Sequence, residues 1–275
     1  MHLACPVCDT YSEFEFKFSD ISLYRCMDCD HCFTDISSLF ESEKYEPQYF
    51  ETNPNWFGNP LTNLYKKISS RITNYKENAS VVDLGCGNGN FLKYLRKENS
   101  SLKLTGIDYY QNKPVEGINF ISSDVYSWNF DCKYDVVVSL AVIEHIQDIK
   151  KFMEIINVLC VSRGLVIIMT LNEQSILYNC AKILKKVGYR APFERLYSKH
   201  HLNHFNITSL KRLMETNSYS LLDMVSYDPP VSSIDFFAES RIQTVTQKIG
   251  VKITFLLGQL TGKSFLQTVF CENQR

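Results

Sequence analysis

The chain has 275 residues, 45% hydrophobic and 21% charged, enough to bury a sizeable core and too evenly mixed for a disordered or fibrous protein. A net charge of -1 argues against strong overall attraction to nucleic acid or an anionic bilayer, while leaving room for a local basic patch. The start of the chain lacks the basic and apolar regions of a secretory signal, and no apolar run reaches the ~18–20 residues that span a bilayer, so the chain reads as cytoplasmic, with reduced thiols.

Residues 1–34 read as a cysteine-rich module. Cys5 and Cys8, seventeen intervening residues, then Cys26 and Cys29 match a four-cysteine zinc spacing. Each pair can bring two thiolates to one ion, and two pairs complete a tetrahedron with no open position, which is a structural site. Phe14, Phe16, Phe18, Leu23 and Tyr24 between the pairs predict short strands, so the module reads as a zinc ribbon. Cys29 with Cys32 is a second candidate pair; the preferred register uses Cys26 and Cys29 and leaves Cys32 as a small buried residue of the next strand.

Residues 35–60 are irregular and aromatic (Phe40, Tyr45, Tyr49, Phe50, Trp56, Phe57), broken by Pro47, Pro54 and Pro60, and read equally as a packed linker or a lid. Apolar residues at helical spacing predict a helix over 61–75. Strands follow at 81–84, 102–108, 118–121, 134–140 and 164–170, alternating with helices at 91–98 and 149–159. A helix from 176 is ended by Gly188 and Pro192, a histidine-rich loop carries His200, His201 and His204, and a helix at 208–217 leads to a strand at 219–227. A helical insertion at 233–260 precedes a last strand at 264–271, expected to run antiparallel to the strand before it. The alternation predicts an α/β fold, a doubly wound Rossmann-like sheet over 61–275, with helical insertions at about 174–205 and 233–260.

The loop after the first sheet strand carries Asp83, Gly85, Gly87 and Gly89. Its spacing misses the dinucleotide fingerprint, because position 90 is Asn, and no Gly-Lys-Ser/Thr follows. A carboxylate ahead of the glycines repels pyrophosphate and suits an ammonium. Asp108, ending the next strand, can accept from ribose hydroxyls. Asp124, after the third, can take an adenine amino group or cap a helix. Ammonium, ribose and adenine together are S-adenosylmethionine.

The series VDLGCGNGNF, GIDYY, SSDVYSW and YDVVVSLAVIEHIQD resembles the motifs of class I S-adenosylmethionine-dependent methyltransferases over about residues 61–228. The Glu144-His145 pair and the segment HHLNHFNITSLKRLMETNSYSL are similar to the small-molecule branch, which includes the ubiquinone O-methyltransferases. The resemblance implies a seven-stranded sheet and S-adenosylmethionine as cofactor. It implies that Gly85, Cys86, Gly87 and Gly89 approach the methionine part, that Asp83 supports the ammonium, and that Asp108 and Tyr109 border the ribose. Asp124 and Val125 would meet the adenine, and Leu140 and Ala141 the sulfonium. A hydroxyl acceptor needs a base; His145 is the first candidate, then His201 and His204, with Glu144 steering His145, sharing a metal with it, or capping the next helix.

The leading reading is O-methylation of a small molecule such as a sugar, glycan precursor or secondary metabolite. An RNA base methyltransferase with an N-terminal zinc module is the alternative, weakened by the near-zero net charge and the missing basic-aromatic stripe. A non-catalytic scaffold with a zinc docking module is the third. The apolar face of the 233–260 helix reads as core or a homodimer surface ahead of weak peripheral contact with a membrane.

Overall fold

The structure, a computed structural model, describes residues 2–39, 53–127, 132–236 and 240–275. The expectations on Phe40, Tyr45, Pro47, Tyr49 and Phe50, and the part of the expected 233–260 helix at 237–239, lie outside the described residues.

Two sheets are present among the described residues. The larger has seven strands in the order β11-β12-β9-β8-β5-β6-β7. β5 (Ser80–Leu84), β6 (Lys103–Asp108), β7 (Ile118–Ser122), β8 (Tyr134–Leu140) and β9 (Cys160–Leu171) are parallel, while β11 (Tyr219–Tyr227) and β12 (Leu266–Asn273) add an antiparallel edge. β12 inserts between β9 and β11, so the last strand is antiparallel to two neighbours, not only to the strand before it.

Side chains alternate across this sheet with the period of two that a strand imposes. Val81, Leu104, Val136 and Val138 pack on one face, against α2 (Thr62–Tyr75) and α3 (Asn90–Glu98). Val82, Ile107, Val137 and Val166 pack on the other, against α4 (Ile149–Leu159) and α7 (Ile207–Thr216). A near-continuous β-branched run is what burial on both faces demands. β5 has β6 on one side and β8 on the other, so the chain reverses its strand order at the carboxyl end of β5 and opens a crevice there.

The helix expected from 176 is α5 (Ile176–Lys186), capped by the Ser175 side chain. Pro192 does not end it. It sits in the first turn of a second short helix, α6 (Ala191–Leu196), where its missing N–H costs nothing. The helix expected from 233 begins later, as α8 (Arg241–Thr261), capped by Ser240 and closed by Gly262 at φ +68°.

The smaller sheet contains β1 (Leu3–Ala4), β2 (Tyr11–Phe18), β3 (Ile21–Cys26) and β4 (Cys32–Thr34), and its fifth strand comes from far along the chain. β10 (Asn203–His204), within the histidine-rich loop, pairs antiparallel with β4, Asn203 opposite Phe33 and His204 opposite Cys32. The N-terminal sheet and the histidine loop are thus one hydrogen-bonded unit.

Candidate functional site

At the carboxyl end of β5 the loop runs through Gly85, Gly87 and Gly89, with φ of +72°, +54° and +75°. These are left-handed values that side chains other than glycine rarely adopt. Space is tight as well: a Cβ at Gly85 would lie 2.4 Å from Val142 Cγ2, and one at Gly89 2.6 Å from Phe120 Cζ. Asp108 Oδ2 accepts from the Gly87 N–H at 2.8 Å, and Oδ1 from Tyr110 N–H at the same distance. Asp108 therefore fixes the glycine loop, and burial pushes its carboxyl above the usual range.

Asp83 is buried at the foot of this loop, and its Oδ1 has no hydrogen-bond partner among the described residues. Burial, and then the charge of Asp108, push its carboxyl well above the ordinary value. A buried carboxyl without a partner carries an unmet desolvation cost. It lines a narrow cleft that opens to solvent at the end of β5. An ammonium entering this cleft would supply the missing counter-charge.

The rest of the wall comes from Cys86, from Leu140 and Ala141 at the end of β8, and from Met169 on β9. Ala141 has φ +57°, unusual for a residue with a Cβ, and its N–H is held by Met169 O at 2.9 Å. The outer wall is a short helix, α1 (Pro54–Gly58), which contributes Trp56 and Phe57. Asn90 Nδ2 donates to Phe57 O at 2.8 Å. Asp235, buried and about 180 residues away, accepts from the Asn55 and Trp56 N–H groups at 3.1 and 3.4 Å. Asn88, Asn90 and Asp235 were missed by sequence reasoning. The Asn residues alternating with the glycines were a readable signal; Asp235 had none.

Beside the loop, Tyr109 is exposed, with its phenol pushed up by partial burial and then by a hydrogen bond to Asp124. Asp124 Oδ1 accepts from Tyr126 N–H at 2.8 Å, so it closes the turn after β7, and Val125 is buried behind it.

The histidines lie further along the same edge, outside the walls of the cleft. His145 ends a 3-10 turn (Ile143–His145) after β8; its Nδ1 is 2.6 Å from the His200 carbonyl. A carbonyl only accepts, so Nδ1 carries the proton and the basic lone pair sits on Nε2. His201 is held likewise, Nδ1 to Leu196 O at 3.0 Å, and the two rings are 5.0 Å apart. Burial lowers His145 to about 3 and His201 to about 4. His204 is fully enclosed, 4.5 Å from the Tyr197 ring, and neither ring nitrogen has a partner among the described residues. Glu144 does not steer His145 and does not cap the next helix. Its Oε2 accepts from Thr170 Oγ1 at 2.8 Å, burial raises its carboxyl to about 7, and Asp148 caps α4 instead.

At the N-terminus, the sulfurs of Cys5, Cys8, Cys26 and Cys29 lie within 4.8 Å of one another. Cys8 Sγ is 3.5 Å from both Cys26 Sγ and Cys29 Sγ, and Cys5 Sγ is 3.7 Å from Cys29 Sγ. Zn–S bonds of ~2.3 Å in a tetrahedron require edges of about 3.8 Å, so the cluster fits such an ion. The pairs are built alike: Cys5 N–H donates to Thr10 O and Cys26 N–H to His31 O, both at 2.9 Å. Asp9 and Asp30, each following the second cysteine of its pair, share left-handed backbone at φ +60° and +57°. The repeated Cys-Asp is the sequence signal of this shared turn. Cys32 stays out of the cluster, buried in β4 with its thiol to Glu15.

A doubly wound sheet with a glycine cleft at its switch point defines a nucleotide-type binding fold. The profile of a methyltransferase domain family matches residues 61–223, more than half of the chain, and the chain belongs to that family. A ubiquinone biosynthesis O-methyltransferase of Rickettsia bellii is 28% identical over 123 residues, 41% of this chain and 50% of that protein. A pavine N-methyltransferase of Thalictrum flavum subsp. glaucum is 22% identical over 136 residues, 46% and 38% of the two chains. The chain thus spans about half or less of the length of these curated relatives. Among solved structures, a plantazolicin methyltransferase in complex with a triazolic desmethylPZN analog and SAH superposes with a TM-score of 0.56 at 19% identity, covering 84% of this chain and 92% of that one. An S-adenosylmethionine-dependent methyltransferase from Archaeoglobus fulgidus gives 0.53 at 17% identity, covering 84% and 100%. The fold is that of S-adenosylmethionine-dependent methyltransferases.

Proposed function

We propose that this chain binds S-adenosylmethionine in the cleft at the end of β5 and methylates a hydroxyl of a small acceptor, such as a sugar, glycan precursor or secondary metabolite. The observation that carries the cofactor reading is the buried, unpartnered Asp83 carboxyl beneath a glycine loop, which calls for an ammonium and repels phosphate. The O-methyltransferases among the relatives support the acceptor class. The bound cofactor supplies a methyl group already activated by its sulfonium.

The chain's own residues then orient and deprotonate. Gly85, Gly87 and Gly89 let the ligand approach the backbone, with Cys86 filling the space behind. Asp108 keeps lone pairs for ribose hydroxyls while holding Gly87. Tyr109 borders the ribose beside Asp108, Asp124 and Val125 border the adenine, and Leu140 and Ala141 the methyl-bearing end. Alignment of two bound reactants supplies up to ~7–11 kcal/mol of barrier reduction. His145 is the proposed base: its Nδ1 is fixed by His200, so Nε2 is the atom that accepts the acceptor's proton. His201 backs it, and His204 with Glu144 forms a dry wall behind both. The N-terminal cysteines hold a structural zinc ion, α1 is the described end of a 35–60 segment that serves as linker or lid, and residues 61–275 form the catalytic domain.

Calorimetry with S-adenosylmethionine and S-adenosylhomocysteine tests the first claim; absence of binding at millimolar concentration sinks it. A methyl-transfer assay across sugar nucleotides and phenols tests the second. His145→Ala is expected to lower turnover by about 10²–10⁴-fold, the usual worth of a general base, at nearly unchanged cofactor affinity. Unchanged turnover would move the role to His201.

A further inference from the structure

Among the described residues, the longest helix has an apolar face that no other described element covers. α8 runs for 21 residues, yet only Phe255 and Gly258 on it are buried. Gly258 is where the helix meets the chain leading into β12: a Cβ there would lie 2.9 Å from Lys263 O. The opposite side carries Ile242, Ile249, Ile253, Leu256 and Leu260, all exposed, with Ile242 at 79% and Leu260 at 74%. α5 packs beside α8, and Ile183 on it and Val187 just after it are exposed as well, the latter at 76%. Monomeric soluble proteins rarely leave an apolar patch of this extent uncovered.

The charges carried by the two helices themselves are all basic, while Glu15 and Glu194 lie near Lys185 and Asp228 lines the groove under α8. From Arg241 to Cys271 the sequence contains no Asp or Glu, and none occurs from Gln174 to Phe193. Lys186 on α5 and Arg241, Lys248 and Lys252 on α8 are exposed. The whole chain has a net charge of -1, so this basic surface is a local concentration set against an acidic remainder. A second copy of the chain would bring lysine to lysine. An anionic lipid surface is complementary in both respects: headgroups to the lysines, acyl chains to the isoleucines and leucines. No described helix is long and apolar enough to cross a membrane, so such a contact lies in the interface.

We infer that the joint face of α8 and α5 seats this protein on an anionic bilayer as a peripheral membrane surface. The face also borders the lid. The groove under α8, between Phe255 and Pro229–Pro230, leads to the 3-10 turn Val231–Ser233, and Ser232 and Ser233 bond to Asn59 at the end of α1.

The test is flotation of the full chain with phosphatidylcholine vesicles, with and without phosphatidylglycerol. Binding is expected only with phosphatidylglycerol and is expected to fall as salt rises. Lys248→Gln and Lys252→Gln are each expected to lower partitioning about fivefold, the worth of one basic residue near a charged surface. Ile249→Glu with Leu256→Glu is expected to abolish it while leaving the melting temperature and the far-ultraviolet circular dichroism unchanged, since both positions are exposed. No flotation with the anionic vesicles, or equal flotation with neutral ones, overturns the inference. So does sedimentation as a dimer that Ile249→Glu converts to a monomer, because the face would then belong to a second copy.

Discussion

At the residue scale the most informative group is Asp83. Its carboxyl is buried, unpartnered among the described residues and repelled by Asp108, so it destabilises the ligand-free fold, a cost that the proposed ammonium would offset. Asp83→Asn should therefore act in two directions. S-adenosylmethionine binding should weaken about 10–100-fold, since a charge-assisted hydrogen bond is worth ~1.5–3 kcal/mol, while the melting temperature of the ligand-free protein should rise. Calorimetry and thermal melts read the two separately; a variant that binds as tightly as the parent would remove Asp83 from the site. Glu144 makes a second residue-level statement. Burial raises it from an ordinary 4.5 to about 7, so the fold favours its protonated form. Its contribution to stability is full below about pH 4.5 and is lost as pH rises through 7. Glu144→Gln should flatten the stability profile across that window in denaturant titrations, because the amide keeps the shape without the charge. The glycines and Asp83 were legible because each sits where its backbone geometry or chemistry is needed locally. The partners of Glu144 were not, since Thr170 is 26 residues away on another strand.

At the scale of elements, strands and helices with a one-sided or two-sided apolar pattern were readable, and their ends were less so. α4 starts and stops where its periodicity does. Pro192 was ambiguous in principle, because proline both ends one helix and opens another, and only the packing of Phe193 decides in favour of α6. The placement of β12 between β9 and β11 was illegible, since sequence order carries no sheet order at an antiparallel edge. α1 is the instructive case. Five residues do not make a stable helix alone. It persists because Asp235 accepts two of its first N–H groups and Asn90 holds Phe57 O. Asp235→Ala should therefore loosen this wall without touching the glycine loop. Cofactor dissociation should accelerate by roughly tenfold, in line with the ~1–3 kcal/mol cost of leaving buried groups unsatisfied. Stopped-flow displacement measures it; an unchanged off-rate would show that α1 does not gate the cleft.

At the scale of the whole molecule, the N-terminal ribbon is wired into the methyltransferase domain. β10 completes its sheet, Thr34 N–H donates to Leu202 O at 2.9 Å, and Asn203 Nδ2 donates to Ile146 O at 2.6 Å. Arg25 of β3 reaches Glu173 at 2.8 Å, where Lys182 and Tyr197 also converge. Burial alone would raise Glu173, but Lys182 and Arg25 outweigh it and hold the carboxyl below its usual range. The proposed zinc ion would cross-link a sheet whose thirty-odd N-terminal residues bury little apolar surface of their own. Stripping metal from the cysteine cluster should thus release β4, and with it the loop from His200 to His204 whose His200 carbonyl orients His145. Misplacing a reacting group by about an ångström costs on the order of 100-fold in rate, so chelation should cut methyl transfer by about that factor. The cleft at the end of β5 is built from other elements, so cofactor affinity should change little. Cys5→Ser should reproduce the same split, with turnover lost and binding kept, and zinc content should fall in parallel. Parallel loss of binding and turnover would instead mean that the ribbon supports the whole fold, and the specific link from the cysteine cluster to His145 would be discarded.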